Sequence, residues 1–370
     1  MTTFARYLSI VMLVRFAFLM AGGVMLALSF DLMERADNVL AREGGGIPAL
    51  AGYALLRLPD IAADLMPIAS LLATALAFGE LMRHRELVAL WNTGLSNFGV
   101  VRSLWPAAAL LVLFSVTLDN VAVPYAADGL RDRGLGPYRD ISSNNPNDVV
   151  WVHHGDLIFR FPATASAEGI ANPFSIFRRA ADGILVERID VQRAHPTRTG
   201  WQFEDVTRYP VESSRAIRHD REEWNAELPL ENIGLLAREP RELSLPLLYK
   251  LKNDDTQGTL ARQRLASWFH HRLAGIVKPI LIILLVVALA HDGRLAASFT
   301  RLLIATIAFG FGYMMLERWA LATGAVGFLP PWLSAWGPPI ALFSLAATLL
   351  FRREPAATGV GAERQRRHPL

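Results

Sequence analysis

The chain has 370 residues, a formal net charge of +3, 52% hydrophobic residues and a mean hydropathy of +0.28. It is too apolar for an ordinary soluble domain and too polar to lie wholly within a membrane, so a mixed architecture is expected. The absence of cysteine excludes disulfide staples and thiolate zinc sites.

Three long apolar runs come first, then about 140 mostly polar residues, then three more apolar runs. A hydrocarbon core of about 30 Å takes roughly 17–25 apolar residues per helix. Leu13–Phe30, Ile61–Leu81, Ser103–Val123, Leu273–Ala290, Thr300–Ala320 and Pro331–Phe351 meet that length. Arg6 and Arg15 precede the first run as they would in a signal peptide. The run is too long for one, however, and no small-residue cleavage site follows it directly, so it reads as a retained span.

Arginine placement orients the spans. With both termini cytoplasmic, the cytoplasmic segments carry Arg6, Arg15, Arg83, Arg85, Arg102, Arg294, Arg301, Arg352, Arg353, Arg364, Arg366 and Arg367. The opposite short loops carry only Arg35, Arg42, Arg57 and Arg318. This excess fits the positive-inside rule and puts the large insert outside the cytoplasm. The basic tail over Glu363–His368 reads as a cytoplasmic flank rather than a nucleic-acid site.

Between spans two and three lies Met82–Gly94. As a helix, it places Leu87, Leu90 and Trp91 on one face, with Glu86 and Arg83 alongside and Gly94 as a stop. Such a helix suits the groove of a motor subunit. A turn in the lipid interface with a solvated Glu86 fits the same spacing. No Gly-x-x-x-x-Gly-Lys-[Ser/Thr] phosphate loop occurs, so this chain does not hydrolyse ATP itself and uphill work needs a partner.

From Val149 the period becomes two. Val149–Val152, Asp156–Phe161, Phe174–Arg179, Gly183–Gln192, Trp201–Val206 and Arg215–Asp220 read as short strands between Gly, Asn and Pro turns. The pattern predicts an antiparallel all-β insert of sandwich or open-barrel type. His153 and His154 beside Asp156 form a hairpin turn rather than a metal site, and no catalytic motif or cofactor signature stands out. Leu243–Lys252 and Thr256–His271 follow as helices, the second running straight into span four.

Lys278 lies about five residues into span four, roughly 7–8 Å deep at 1.5 Å per residue. A charge there must snorkel or pair; snorkelling to headgroup level is the expectation, with a cavity-facing Lys278 the alternative. Asp60 and Asp64, i and i+4 at the start of span two, read as complements to the helix dipole, with Arg57 nearby.

The 3+3 span layout around a β-rich insert resembles the LptF/LptG family of lipopolysaccharide export permeases. The resemblance is carried by Arg6-Tyr7, Phe30–Glu34, Leu65-Met66-Pro67, Glu86-Leu87 through Gly94, and Val123-Pro124 before Arg131. Phe309-Gly310-Phe311 and Leu329-Pro330-Pro331-Trp332 with Ala335-Trp336 complete it, and the last segment and the loop favour the LptG branch.

That resemblance implies a heterodimer with an LptF-like permease, seated on an LptB-like ATPase dimer with an LptC-like protein beside it. Its cargo would be lipopolysaccharide. Glu86 matches the acid of the family's coupling helix, with Leu87, Leu90, Trp91 and Arg83 around it. Arg131 matches a basic residue above span three; with Arg133 beside it, bidentate bonds to lipid phosphates are the implied role, and a solvated connector between span and sheet is the alternative. The family's basic pair after span one is not reproduced cleanly, leaving Arg35 and Arg42 as candidates with Lys278.

The expected organisation is 1–124 for helices 1–3 with a coupling loop at 82–102, and 125–265 for the periplasmic β-jellyroll and linker. Residues 266–351 supply helices 4–6 and 352–370 the tail. The expected function is a permease subunit without an ATPase site of its own. A permease for another lipid or lipoprotein, a membrane enzyme using the insert, and a scaffold for periplasmic partners are the rivals.

Overall fold

The computed structural model describes residues 3–41, 46–83, 97–135, 149–162, 165, 169–170, 172–180, 182–213, 215–225, 228–230, 233–236, 238–254, 259–291 and 298–351. Helices α1 (Thr3–Leu40) and α2 (Ile47–Arg83) lead, followed by short α3 (Asn97–Ser103), α4 (Trp105–Thr117), a π-helical turn (Leu118–Ala122) and α5 (Val123–Asp132). Strands β1 (Val149–His154) to β6 (Ile217–Trp224) come next. Then follow α6 (Ile233–Leu236), a 3-10 turn (Pro240–Glu242), α7 (Leu245–Lys252), α8 (Thr259–His291), α9 (Phe299–Ala325) and α10 (Pro331–Phe351).

Among the described residues, six helical segments are long and apolar enough to cross a membrane, making this a multi-pass membrane protein. Each of the first five extends past its apolar run: span one covers Phe4–Leu40 and span four Ala261–His291. Hydropathy sees only the oily middle of such a helix, so the polar turns at its ends were missed. The expected continuity of the post-insert helix with span four holds in α8.

Prolines interrupt the ladders without ending the helices. Pro59 and Pro67 lie inside α2 and Pro279 inside α8, each depriving the carbonyl four residues earlier of its helical N–H. Pro124 does the same to the third span, where the backbone widens and Val123 N–H bonds Leu118 O, five residues back. The bundle core gathers Phe78, Leu81, Leu104, Leu111, Val286 and Leu302 from α2, α3–α4, α8 and α9.

The insert is a six-stranded antiparallel sheet in the order β1-β2-β3-β4-β5-β6. Alternation puts Val150, Val152, Phe159, Phe161, Ile176, Ile189 and Phe203 on one buried face. Phe159 and Phe161 stack at 5.2 Å, and Phe174 meets Phe203 edge-on at 5.5 Å, so aromatic area does the work that disulfides do elsewhere. Gly155, at φ +59°, turns β1 into β2 as the His-His-Gly-Asp sequence predicts. Strand β6 is exposed at most positions and carries Arg218, His219, Asp220 and Arg221, charges that discourage edge-to-edge pairing.

Candidate functional site

The chain's polar chemistry concentrates where the helices meet the connectors of the sheet. The 3-10 turn supplies a clip. Arg241 reaches Asp60 at 2.7 Å and Asp64 at 3.1 Å on α2, while Glu242 takes Arg131 of α5 at 2.6 Å. Arg272 of α8 donates to the Arg241 carbonyl, and Arg238 pairs with Asp128. Three residues thereby bind three helices. Burial alone disfavours the charge on Arg241, yet Asp60 and Asp64 outweigh it and hold the guanidinium pKa above its ordinary value.

The clip belongs to a longer chain of alternating charges. Arg35 contacts Asp31 at 3.4 Å on α1, Asp31 contacts Arg57 at 3.1 Å, and Arg57 pairs with Asp60 on α2. Through Arg241 the chain passes to Asp64 and on to Arg318 of α9 at 3.8 Å. Tyr53 donates to Asp31 at 2.5 Å, fixing its carboxylate. Burial makes the inner link of Asp31 with Arg57 worth more than in water and an unpaired member there costly, whereas the exposed Arg318 adds little.

Beneath the clip lies a cavity of about 460 Å³, walled by α2, the third span, α8 and α9. Pro67 and Pro279 line it, as do Ala63 and Gly275, whose carbonyls those prolines leave without helical donors. Asp119, carried by the π-helical turn, also faces it. Lys278 Nζ lies 2.8 Å from Glu317 Oε1, and both side chains are mostly buried. His271 Nδ1 sits 3.8 Å from the same oxygen, and Tyr313 donates to it at 3.4 Å.

This geometry revises two expectations. Lys278 does not snorkel: it turns into the cavity, because Glu317 one helix away offers a partner at the same depth. Asp60 and Asp64 do not complement a helix N-terminus, since α2 begins at Ile47 and carries them in its interior. They serve the guanidinium of Arg241 instead.

Of the other candidates, Arg131 stands in the last turn of α5, ion-paired to Glu242. Arg133 caps that helix, is exposed, and lies against Gly52 of α2. Arg35 is joined to the charge chain through Asp31. Arg83 ends α2, exposed, beside a second hollow shared with Arg15, Glu80 and Phe299. Glu86, Leu87, Leu90, Trp91 and Arg42 lie outside the described residues. Arg35, Arg131 and Arg133 thus stand near the sheet-side ends of α1 and α5, with Lys278 deeper, on the cavity wall.

Sequence reasoning passed over Arg241, Glu242, Arg272 and Glu317. Glu317 had a usable signal, being an acid within a span, which is rare without a function or a partner. The clip had none, since Pro240-Arg241-Glu242 reads as an ordinary polar linker.

The model of the family "Lipopolysaccharide export system permease LptF/LptG" matches residues 6–353. Among curated proteins, the chain is 22% identical over 199 residues to the lipopolysaccharide export system permease protein LptG of Haemophilus influenzae. That match covers 52% of this chain and 55% of the relative, so the chain spans about half the length of the curated protein it matches. With six membrane-length helices around an antiparallel insert, and a family match running almost end to end, the chain belongs to the LptF/LptG family of lipopolysaccharide export permeases.

Proposed function

We propose that this chain is the LptG-like permease subunit of an ATP-driven transporter that lifts lipopolysaccharide from the inner membrane. The observation that supports this reading is the placement of Arg35, Arg131 and Arg133 at the sheet-side ends of α1 and α5 in a family-matched bundle, above a cavity that Lys278 lines. A phosphorylated amphiphile needs apolar walls for its acyl chains and cations at headgroup height, and this end supplies both. Arg42 belongs to the same group by sequence position.

In this reading both termini are cytoplasmic and the sheet is periplasmic, as the arginine distribution favours. An LptF-like permease completes the cavity, an LptB-like ATPase dimer supplies the energy, and an LptC-like protein receives the lipid. The Glu86 segment, with Leu87, Leu90, Trp91 and Arg83, enters the ATPase groove and moves α2 and the third span when ATP closes the dimer. This chain does no chemistry on its cargo.

Co-purification of the tagged chain in detergent tests the assembly. Recovery of a second permease, an ATPase and lipopolysaccharide is expected. A chain that comes alone would overturn the reading. Within a recovered complex, Glu86→Ala should uncouple ATP turnover from lipid release, whereas a scaffold would tolerate it.

A further inference from the structure

We propose that Asp119 is a second seat for Lys278, so that this lysine joins α8 to α9 in one arrangement and to the third span in another. In the arrangement described above, Lys278 Nζ is 2.8 Å from Glu317 Oε1 on α9. Asp119 lines the same cavity, yet the bond described for its carboxylate is a 3.4 Å contact from Ser115. Among the described residues it makes no ion pair within 4.0 Å. The cations that act on it are Arg272, Lys278 and Arg241, in that order. An acid held inside a span without such a pair calls for a partner in some other state of the bundle.

Of those three cations, Lys278 is the one suited to change partner. Arg241 is held by Asp60 and Asp64, and Arg272 donates to the Arg241 carbonyl. A lysine ends in three donors on a flexible four-carbon stem, so it can turn from one carboxylate to another. Glu317 and Asp119 both stand on the wall of one cavity, and the swing between them therefore crosses open space rather than packed core.

The backbone is weakened where the exchange needs it. Asp119 rides on the π-helical turn Leu118–Ala122, and Pro124 interrupts the ladder just beyond. Lys278 directly precedes Pro279, the break in α8. Glu317 stands instead in α9, whose Phe299–Ala325 stretch holds no proline. A slide of the π turn or a change of bend at Pro279 brings Asp119 and Lys278 together while α9 keeps its shape. Two seats for one charge define two discrete arrangements, with α8 docked on α9 or on the third span. Closing on Asp119 gives up packing around α8, so losing Glu317 both lowers stability and moves the population. The exchange alters the width of the cavity and assumes nothing about the cargo.

The chain has no cysteine, so spin labels can be placed without removing any native thiol. Thr117, Ile276 and Leu316 are exposed positions on the third span, α8 and α9. One labelled pair, Thr117→Cys with Ile276→Cys, reports the gap between the third span and α8. The other, Ile276→Cys with Leu316→Cys, reports the gap between α8 and α9. Pulsed spin-resonance distances are measured on the full chain in detergent, purified with whatever partners it brings. Glu317→Gln should shorten the first distance by about 2 Å or more and lengthen the second. Adding Asp119→Asn to Glu317→Gln should abolish both shifts.

Distances that Glu317→Gln leaves unchanged overturn the proposal, as do shifts that persist with Asp119→Asn. If Glu317→Gln does not yield folded protein, Asp119→Glu decides, because it keeps the charge and lengthens the reach toward Lys278. A larger population with the third span close to α8 then supports the proposal, and an unchanged distribution overturns it. The labels report on this chain alone, so failure of the transport reading would not mimic failure of this one.

Discussion

Lys278 on α8 and Glu317 on α9 meet at 2.8 Å inside the helix bundle, with side-chain exposures of only 17% and 11%. Each charge is tolerable at that depth because the other is there. Tyr313 and His271 complete the surroundings of the carboxylate.

The pair predicts an asymmetric mutational pattern. Lys278→Met alone strands a buried carboxylate and Glu317→Leu alone strands a buried ammonium, each costing about 3–5 kcal/mol. The double variant leaves no uncompensated charge and should recover most of that loss. Chemical unfolding of the three variants in detergent is the measurement. Single variants as stable as the double would show that the two side chains do not depend on each other.

The Arg131–Glu242 bond at 2.6 Å gives a second prediction, one that separates structure from substrate contact. Glu242→Arg sets two guanidiniums face to face and should lower stability by about 2–5 kcal/mol, given the partial burial of both side chains. Exchanging the charges, Arg131→Glu with Glu242→Arg, should restore stability. If Arg131 also meets lipid phosphate, the exchanged protein will be stable yet poor at lipid release. Full recovery of both stability and release would confine Arg131 to holding the clip.

How much of this could be read from the sequence depends on the range of the interaction. The apolar middles of the spans, the period-two strands and the Gly155 turn follow from local pattern, and each has its counterpart in the structure. The ends of the spans did not, because polar helical turns carry no hydropathy signal. The run beginning at Ile61 after Pro59 looked like a helix start, whereas α2 absorbs that proline and begins at Ile47. The partners of Lys278 and Arg131 lie on segments far away in sequence, where neither composition nor spacing links them.

The Phe309-Gly310-Phe311 segment of span five carries the last prediction. A Cβ on Gly310 would come within 2.2 Å of Leu71 Cδ2, whereas one on Gly312 meets nothing within 4 Å. Gly310 is therefore where α9 closes on α2, and Leu71 is itself buried in the core with little room to rotate away. Gly310→Ala should cost about 1–3 kcal/mol through overpacking. Gly312→Ala should be neutral or slightly stabilising, since alanine restricts the unfolded chain and favours helix. Melting temperatures of the two variants side by side in one detergent check this, and equal behaviour would remove the close α2–α9 contact from the account. If α2 transmits the motor stroke to the lipid cavity, Gly310→Ala should also slow lipid release more than its stability loss explains, because it wedges apart the two helices that must move together.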